Sequence, residues 1–269
     1  MIDPFDSLLQ NAAGEFPTVV AFGGGLNSTA VLAMWVVLCA PPPGRILFAD
    51  TGGERPATYD HVARFSDWLV SQGMPAIEVT RKGGRPETLE ENCLRMGMLP
   101  SLAYGRKGCS HKFKIEPQER DINRWAPARD AWKQGSKVLK IIGYGYEEQR
   151  RIALAKLEDD KYWYRFPLNE WRMDRAACAD IIEYVGFPVP GKSSCFFCPA
   201  STKPEISALS REAPALLERA LALEDLAIAA GALKTSKGLG RRFAWRDYLA
   251  GQAPAEESGA ALCMYCIDQ

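Results

Sequence analysis

Residues 18–22 run Thr-Val-Val-Ala-Phe and pass without a spacer into Gly23, Gly24 and Gly25, after which Leu26, Asn27, Ser28 and Thr29 open a stretch with helical spacing. Three glycines let the backbone turn sharply off a strand end. With no Cβ atoms in the way, their amide N–H groups can close around an anion. A helix starting near Asn27 adds its positive dipole end at the same point. Such a turn can also be a mere connection, and neither Gly-x-Gly-x-x-Gly nor the Lys-containing P-loop is present.

Strand signals recur near 45–49, 76–80, 137–142 and 162–166, with helical stretches between them. This alternation predicts an α/β fold: a Rossmann-like parallel sheet of about five strands with helices on both faces. Residues 58–70 place Val62, Phe65 and Leu69 on one stripe with Asp60, Arg64 and Asp67 opposite, and His61 is read on the polar side. A further helix begins at the N-cap Asp174, turns Cys178, Ile182 and Val185 inward and stops at Gly186. Residues 214–230 suit one long helix. The glycine-rich basic stretch 234–242 after it reads as a solvated loop or as a lid beside a polyphosphate.

Lys plus Arg and Asp plus Glu balance at 33 each, so no net charge draws the chain to nucleic acid or membrane, while a local basic patch stays open. The apolar run 31–40 is too short to span a bilayer and ends in three prolines, and the chain is expected to be cytoplasmic. Eight cysteines without a secretory signal read as metal, redox or core residues rather than as a disulfide framework. Cys39, Cys93 and Cys178 are read as small buried hydrophobes. Cys109, Cys195, Cys198, Cys263 and Cys266 stand apart, the last four in two Cys-x-x-Cys pairs.

The glycine turn, the Ser28-Thr29 pair and the segment Asp50-Thr51-Gly52, with Pro56 to Tyr59 beyond it, resemble the phosphoadenylylsulfate (PAPS) reductase-like branch of the PP-loop ATP pyrophosphatases. That family's loop reads Ser-Gly-Gly-x-Asp-Ser, so Gly23 replaces the first Ser and Asn27 the Asp. The stretch around Cys109, Lys112 and Lys114 resembles the family's Cys-x-x-x-Lys-Ile-x-Pro element. After the fourth strand, Gly143 to Arg151 resembles Gly-x-Arg-x-x-Glu-Ser-x-x-Arg, with Gly145 where the family has its anion-binding Arg.

The resemblance implies a PP-loop domain over 1–190 that binds ATP, or the sulfonucleotides APS or PAPS, with Mg²⁺. A cysteine-containing, mainly helical subdomain is expected over 191–269. The nucleotide ligands implied are Phe22, Gly23, Gly24, Gly25, Asn27, Ser28, Thr29, Asp50, Thr51, Gly52, Lys114, Gly143, Arg150 and Arg151. Asn27, Ser28, Lys112 and Cys263 are the candidate catalytic residues. A [4Fe–4S] cluster on Cys109, Cys195, Cys198 and Cys266, or Zn²⁺ on the same thiols, is the candidate metal site.

Three activities stay open. The first is cleavage of ATP to AMP and pyrophosphate to adenylate an unknown acceptor. The second is reduction of a sulfonucleotide by a C-terminal cysteine, where Cys263 lacks the histidine that relatives place beside their nucleophile. The third is a nucleotide-binding accessory role, with reduced catalysis, in a phage or CRISPR-type system. Among partners, a homodimer and nucleic acid remain open and a membrane is not expected.

Overall fold

The computed structural model describes residues 16–83, 87–106 and 108–251. Five parallel strands form one sheet in the order β3-β2-β1-β4-β5. They are β1 Thr18–Phe22, β2 Arg45–Ala49, β3 Ile77–Thr80, β4 Val138–Ile142 and β5 Tyr162–Arg165. The chain builds outward from β1 to β3, then crosses to the other side for β4 and β5. The order therefore reverses between β1 and β4. In sheets of this kind the crevice beyond the strand carboxyl ends opens at that reversal.

Alternation along each strand sorts the two faces. Val20, Phe22, Ile46, Phe48, Leu139 and Ile141 face a core completed by α1 (Leu26–Val37), α2 (Pro56–Ser71) and α8 (Arg175–Tyr184). Val19, Leu47, Val138 and Tyr162 face Ile122 of α4 (Glu116–Arg124) and Ala128 of α5 (Ala126–Lys133). Both faces of the sheet are covered, and its central strands are accordingly apolar on both sides.

A second apolar cluster lies apart from the sheet. It joins Leu89 and Cys93 of α3 (Leu89–Met96), Leu102 and Phe113 to residues far along the chain: Phe196, Phe197, Ile206 of α9 (Lys203–Glu212), Leu223 of α10 (Pro214–Ala229) and Trp245 of α11 (Trp245–Leu249). The remaining helices, α6 (Gln149–Leu154) and α7 (Pro167–Glu170), flank β5. No helix among the described residues is long and apolar enough to cross a membrane.

Two expectations are corrected. Cys39 is exposed, not a core thiol: α1 stops at Val37, and Cys39 takes φ 49° ahead of three prolines that cannot continue the helix. His61 is buried, not on the surface, because it lies one turn before Phe65 on the inward stripe of α2. Its ring stacks on Phe65 and near Phe22. Cys93 and Cys178 are buried as expected, and burial together with Glu90 and Glu87 pushes the Cys93 thiol up to about 12. Asp174 caps α8 by accepting from the Ala177 amide at 3.0 Å.

Candidate functional site

The glycine turn sits at the carboxyl end of β1 beside the reversal point. Gly24 has φ 74°, and a Cβ there would stand 3.2 Å from Phe48, Thr58 and Val62. Both facts reserve the position for glycine. Gly25 precedes α1 and makes no side-chain cap, so no side chain caps the first-turn amides of α1. Ser28 turns back on the loop: its Oγ accepts from the Gly23 amide at 3.1 Å and donates to the Gly25 carbonyl. Thr29 Oγ1 donates to the same carbonyl at 2.8 Å and lies 2.9 Å from His61 Nε2. With the single Thr29 proton used on Gly25, His61 Nε2 must be the donor, which assigns the tautomer. Burial, aided by Arg64, lowers the imidazole to about 4, so this donor is neutral.

Gly143, at the end of β4, packs directly on this helix start. A Cβ there would stand 3.1 Å from the Asn27 and Ser28 backbone. Glu148 then ties the two loops together. Its Oε2 accepts from Asn27 Nδ2 at 3.1 Å and from the Gly145 amide at 3.0 Å, while Oε1 takes Arg151 at 2.6 Å. Asn27 is 1% exposed, and its Oδ1 has no hydrogen-bond partner among the described residues. Arg151 also lies over the Tyr144 ring, whereas Arg150 is exposed.

At the end of β2, both oxygens of Asp50 are engaged. Oδ1 accepts from the Gly52 amide and the Tyr59 hydroxyl, each at 2.7 Å, and Oδ2 pairs with Arg81 at 2.9 Å. Asp50 thus closes the turn that carries Thr51 and Gly52, and burial with this bond holds the Tyr59 phenol well above its usual range. The next residues face elsewhere. The Gly53 carbonyl accepts from the Phe196 amide at 2.8 Å, Glu54 bridges to Cys195, and Thr51 Oγ1 lies 3.1 Å from Cys195 Sγ.

Beyond this turn lies a small pocket, with about 30 Å³ of free space, lined by Cys109, Cys195, Cys198, Ser194, Lys114 and Thr51 among others. Two segments bring the thiols together. The Cys198 amide closes on the Cys195 carbonyl at 3.0 Å, and the Cys109 amide is held by Ser101 Oγ at 2.6 Å. A single π-turn, His111–Ile115, follows Cys109. It turns Lys114 inward to 3.6 Å from the fully buried Glu54 carboxylate and leaves Lys112 exposed. Glu54 Oε2 and Ser194 Oγ are buried with no hydrogen-bond partner among the described residues.

Among the described residues, no three His, Cys, Asp or Glu side chains stand as ligands of one metal ion. Cys263 and Cys266 lie outside the described residues. The structure therefore gathers the expected residues into two places: Phe22 to Thr29 with Gly143, and the three thiols with Lys114. Asp50, Thr51 and Gly52 stand between them. Sequence reasoning passed over Glu148, Glu54 and Arg81. Glu148 does fall on the Glu of the family's fourth-strand motif, but Arg81 carries no sequence signal beyond a charge at a strand end.

No protein-family model and no curated protein sequence matches the chain. Among solved structures it is similar to phosphoadenylyl-sulfate (PAPS) reductase from Candida auris in its phosphate complex, with 21% identity over 70% of this chain and 82% of that one and a TM-score of 0.46.

Proposed function

We propose that the chain binds an adenine nucleotide across the carboxyl ends of β1 and β4 and cleaves ATP to AMP and pyrophosphate, adenylating an acceptor. One observation carries the reading: a glycine turn, a helix start with no side-chain cap and a second glycine loop meet where the strand order reverses. The amides of Gly24 to Ser28 hold the pyrophosphate portion. Ser28 and Thr29 shape the loop from within, and exposed Lys112 and Arg150 supply mobile cations. An acceptor oxygen attacks the α-phosphorus, the α–β bridging bond breaks, and pyrophosphate leaves with the electron pair; a sulfur or nitrogen nucleophile then displaces AMP from the adenylated acceptor. Fixed amide dipoles stabilise the leaving charge. Mg²⁺, when bound, neutralises that charge further. Buried Asn27 Oδ1 is an acceptor suited to a metal-bound water, whereas Asp50 would first have to release Arg81.

Calorimetry with ATP, APS and PAPS, and chromatography for AMP and pyrophosphate, test this reading. Ser28→Ala, which removes the acceptor holding the Gly23 amide, should weaken binding while leaving the protein folded. Sulfite release from PAPS with a thiol reductant would instead favour the reductase activity, and indifference to every nucleotide at millimolar concentration would end the proposal.

The shared pocket favours a second element of the same reading. Three soft thiols, two on one turn and Cys109 beside it, suit iron or zinc by type, so Cys109, Cys195 and Cys198 would hold a [4Fe–4S] cluster or Zn²⁺, with Cys266 as the further ligand. Such a centre would supply Lewis-acid or sulfur chemistry next to the nucleotide. Iron and zinc both well below one equivalent after anaerobic purification would remove it.

A further inference from the structure

The overall charge balance conceals a strong separation. Residues 92–115, 184–204 and 226–246 together contain twelve Lys and Arg and not one Asp or Glu, leaving 21 cations against 33 acids in the rest of the chain. The three stretches are far apart in sequence, yet they meet in the second apolar cluster: Leu102 and Phe113 from the first, Phe196 and Phe197 from the second, Leu239 and Trp245 from the third. Cys109, Cys195 and Cys198 of the thiol pocket come from two of them. Folding therefore brings the three acid-free stretches together, and Lys114 of the first lines the thiol pocket.

Elsewhere several cations are held by acids, Arg45 by Glu78, Arg165 by Glu170 and Arg151 by Glu148. Here Arg106, Lys234, Lys237, Arg241 and Arg242 are exposed and form no ion pair with a described residue. Acids in the same half are largely engaged: Glu90 with Arg219, Glu205 with Lys192, Asp225 with Arg246.

The loop carrying most of these charges is rigid. Glu224, fully buried, accepts from the amides of Leu239 at 2.7 Å, Trp245 at 2.9 Å and Arg246 at 3.1 Å. The Lys237 amide closes on the Arg241 carbonyl at 2.8 Å. A Cβ at Gly238 would fall 2.3 Å from Glu224, so the glycine is required for the clamp. Arg241 reaches across to the Gly105 turn, next to Arg106. A loop anchored in this way is a fixed platform rather than a lid.

We infer that this cationic surface, where the 234–242 loop meets the Arg106 turn, docks the phosphodiester backbone of a nucleic acid. Unpaired guanidinium and ammonium groups on a pre-ordered loop match a line of phosphates, and fixing them in advance lowers the ordering cost of binding. The neutral total and the acidic remainder keep the attraction local.

Fluorescence anisotropy with a labelled 30-nucleotide single-stranded RNA, a DNA strand of the same sequence and a DNA duplex reads the binding directly. Binding of any of the three supports the inference, and their order identifies the nucleic acid. Affinity should fall roughly twentyfold between 50 and 150 mM salt if about four phosphates are contacted. Combining Lys237→Glu, Arg241→Glu and Arg242→Glu should weaken binding at least tenfold, by about 1.4 kcal/mol or more. Should that variant misfold, Lys237→Gln with Arg242→Gln gives a milder loss. Arg129→Glu with Lys133→Glu on α5 should change nothing. Saturating ATP should leave the affinity unaltered, since the surface is separate from the nucleotide loop. The inference is overturned if no probe binds, if the loop variants bind as wild type, if ATP displaces the probe, or if polyglutamate competes as well as RNA at equal charge. None of these outcomes depends on ATP cleavage.

Discussion

His61 shows how one misread side chain can matter for the loop it supports. A surface histidine would titrate freely, but this one donates to Thr29, which in turn holds the Gly25 carbonyl. Its folded value of about 4 lies below the ordinary 6.5, so the unfolded chain takes up the proton more readily. The stability this gives is complete above pH 6.5 and is lost progressively as pH falls toward 4. Denaturant midpoints measured across that range should drop for the wild type and drop less for His61→Gln, whose amide can still donate to Thr29. Glu148 is the other decisive residue. Its carboxylate already takes donors from both glycine loops, as a phosphate would. If the nucleotide reading is right, Glu148→Gln should bind pyrophosphate about tenfold more tightly by calorimetry, because the charge opposing the ligand is gone. Neither role was legible from sequence: helical periodicity places His61 only to within one position of the stripe edge, and Asn27, which joins Glu148 to the first glycine loop, is 121 residues away from it.

At the scale of elements, the sequence was far more informative. The five strands fall where apolar runs lie between turn residues, and α8 begins at its aspartate cap. The glycine turn is the most constrained joint. Gly24→Ala should destabilise the protein by about 1–2 kcal/mol in chemical unfolding, since an L-residue at positive φ is strained and its methyl meets three side chains. Gly143→Val should push α1 off the end of β4 and weaken nucleotide binding more than it lowers stability. Thermal unfolding read beside calorimetry separates the two effects.

At the scale of the whole molecule, the second apolar cluster was invisible in advance. Its members come from 89–113 and from 195–245, and no periodicity links stretches so far apart. Phe197, fully buried in it, also packs on Gly53 of the turn after β2. Phe197→Ala should therefore cost about 3–5 kcal/mol. It should lower a single cooperative transition seen identically by near- and far-ultraviolet circular dichroism, because the cluster and the sheet share that contact. The gathering of cations follows from the same long-range packing, which is why composition alone reported a neutral chain.

The stretch Thr51 to Glu54 has a consequence of its own. One side of this short strip of main chain closes the carboxylate-capped bend after β2, and the other is stitched to the Cys195 segment. It acts as a party wall one peptide thick between two compartments. Any shift in the course of that strip moves a boundary of both chambers together.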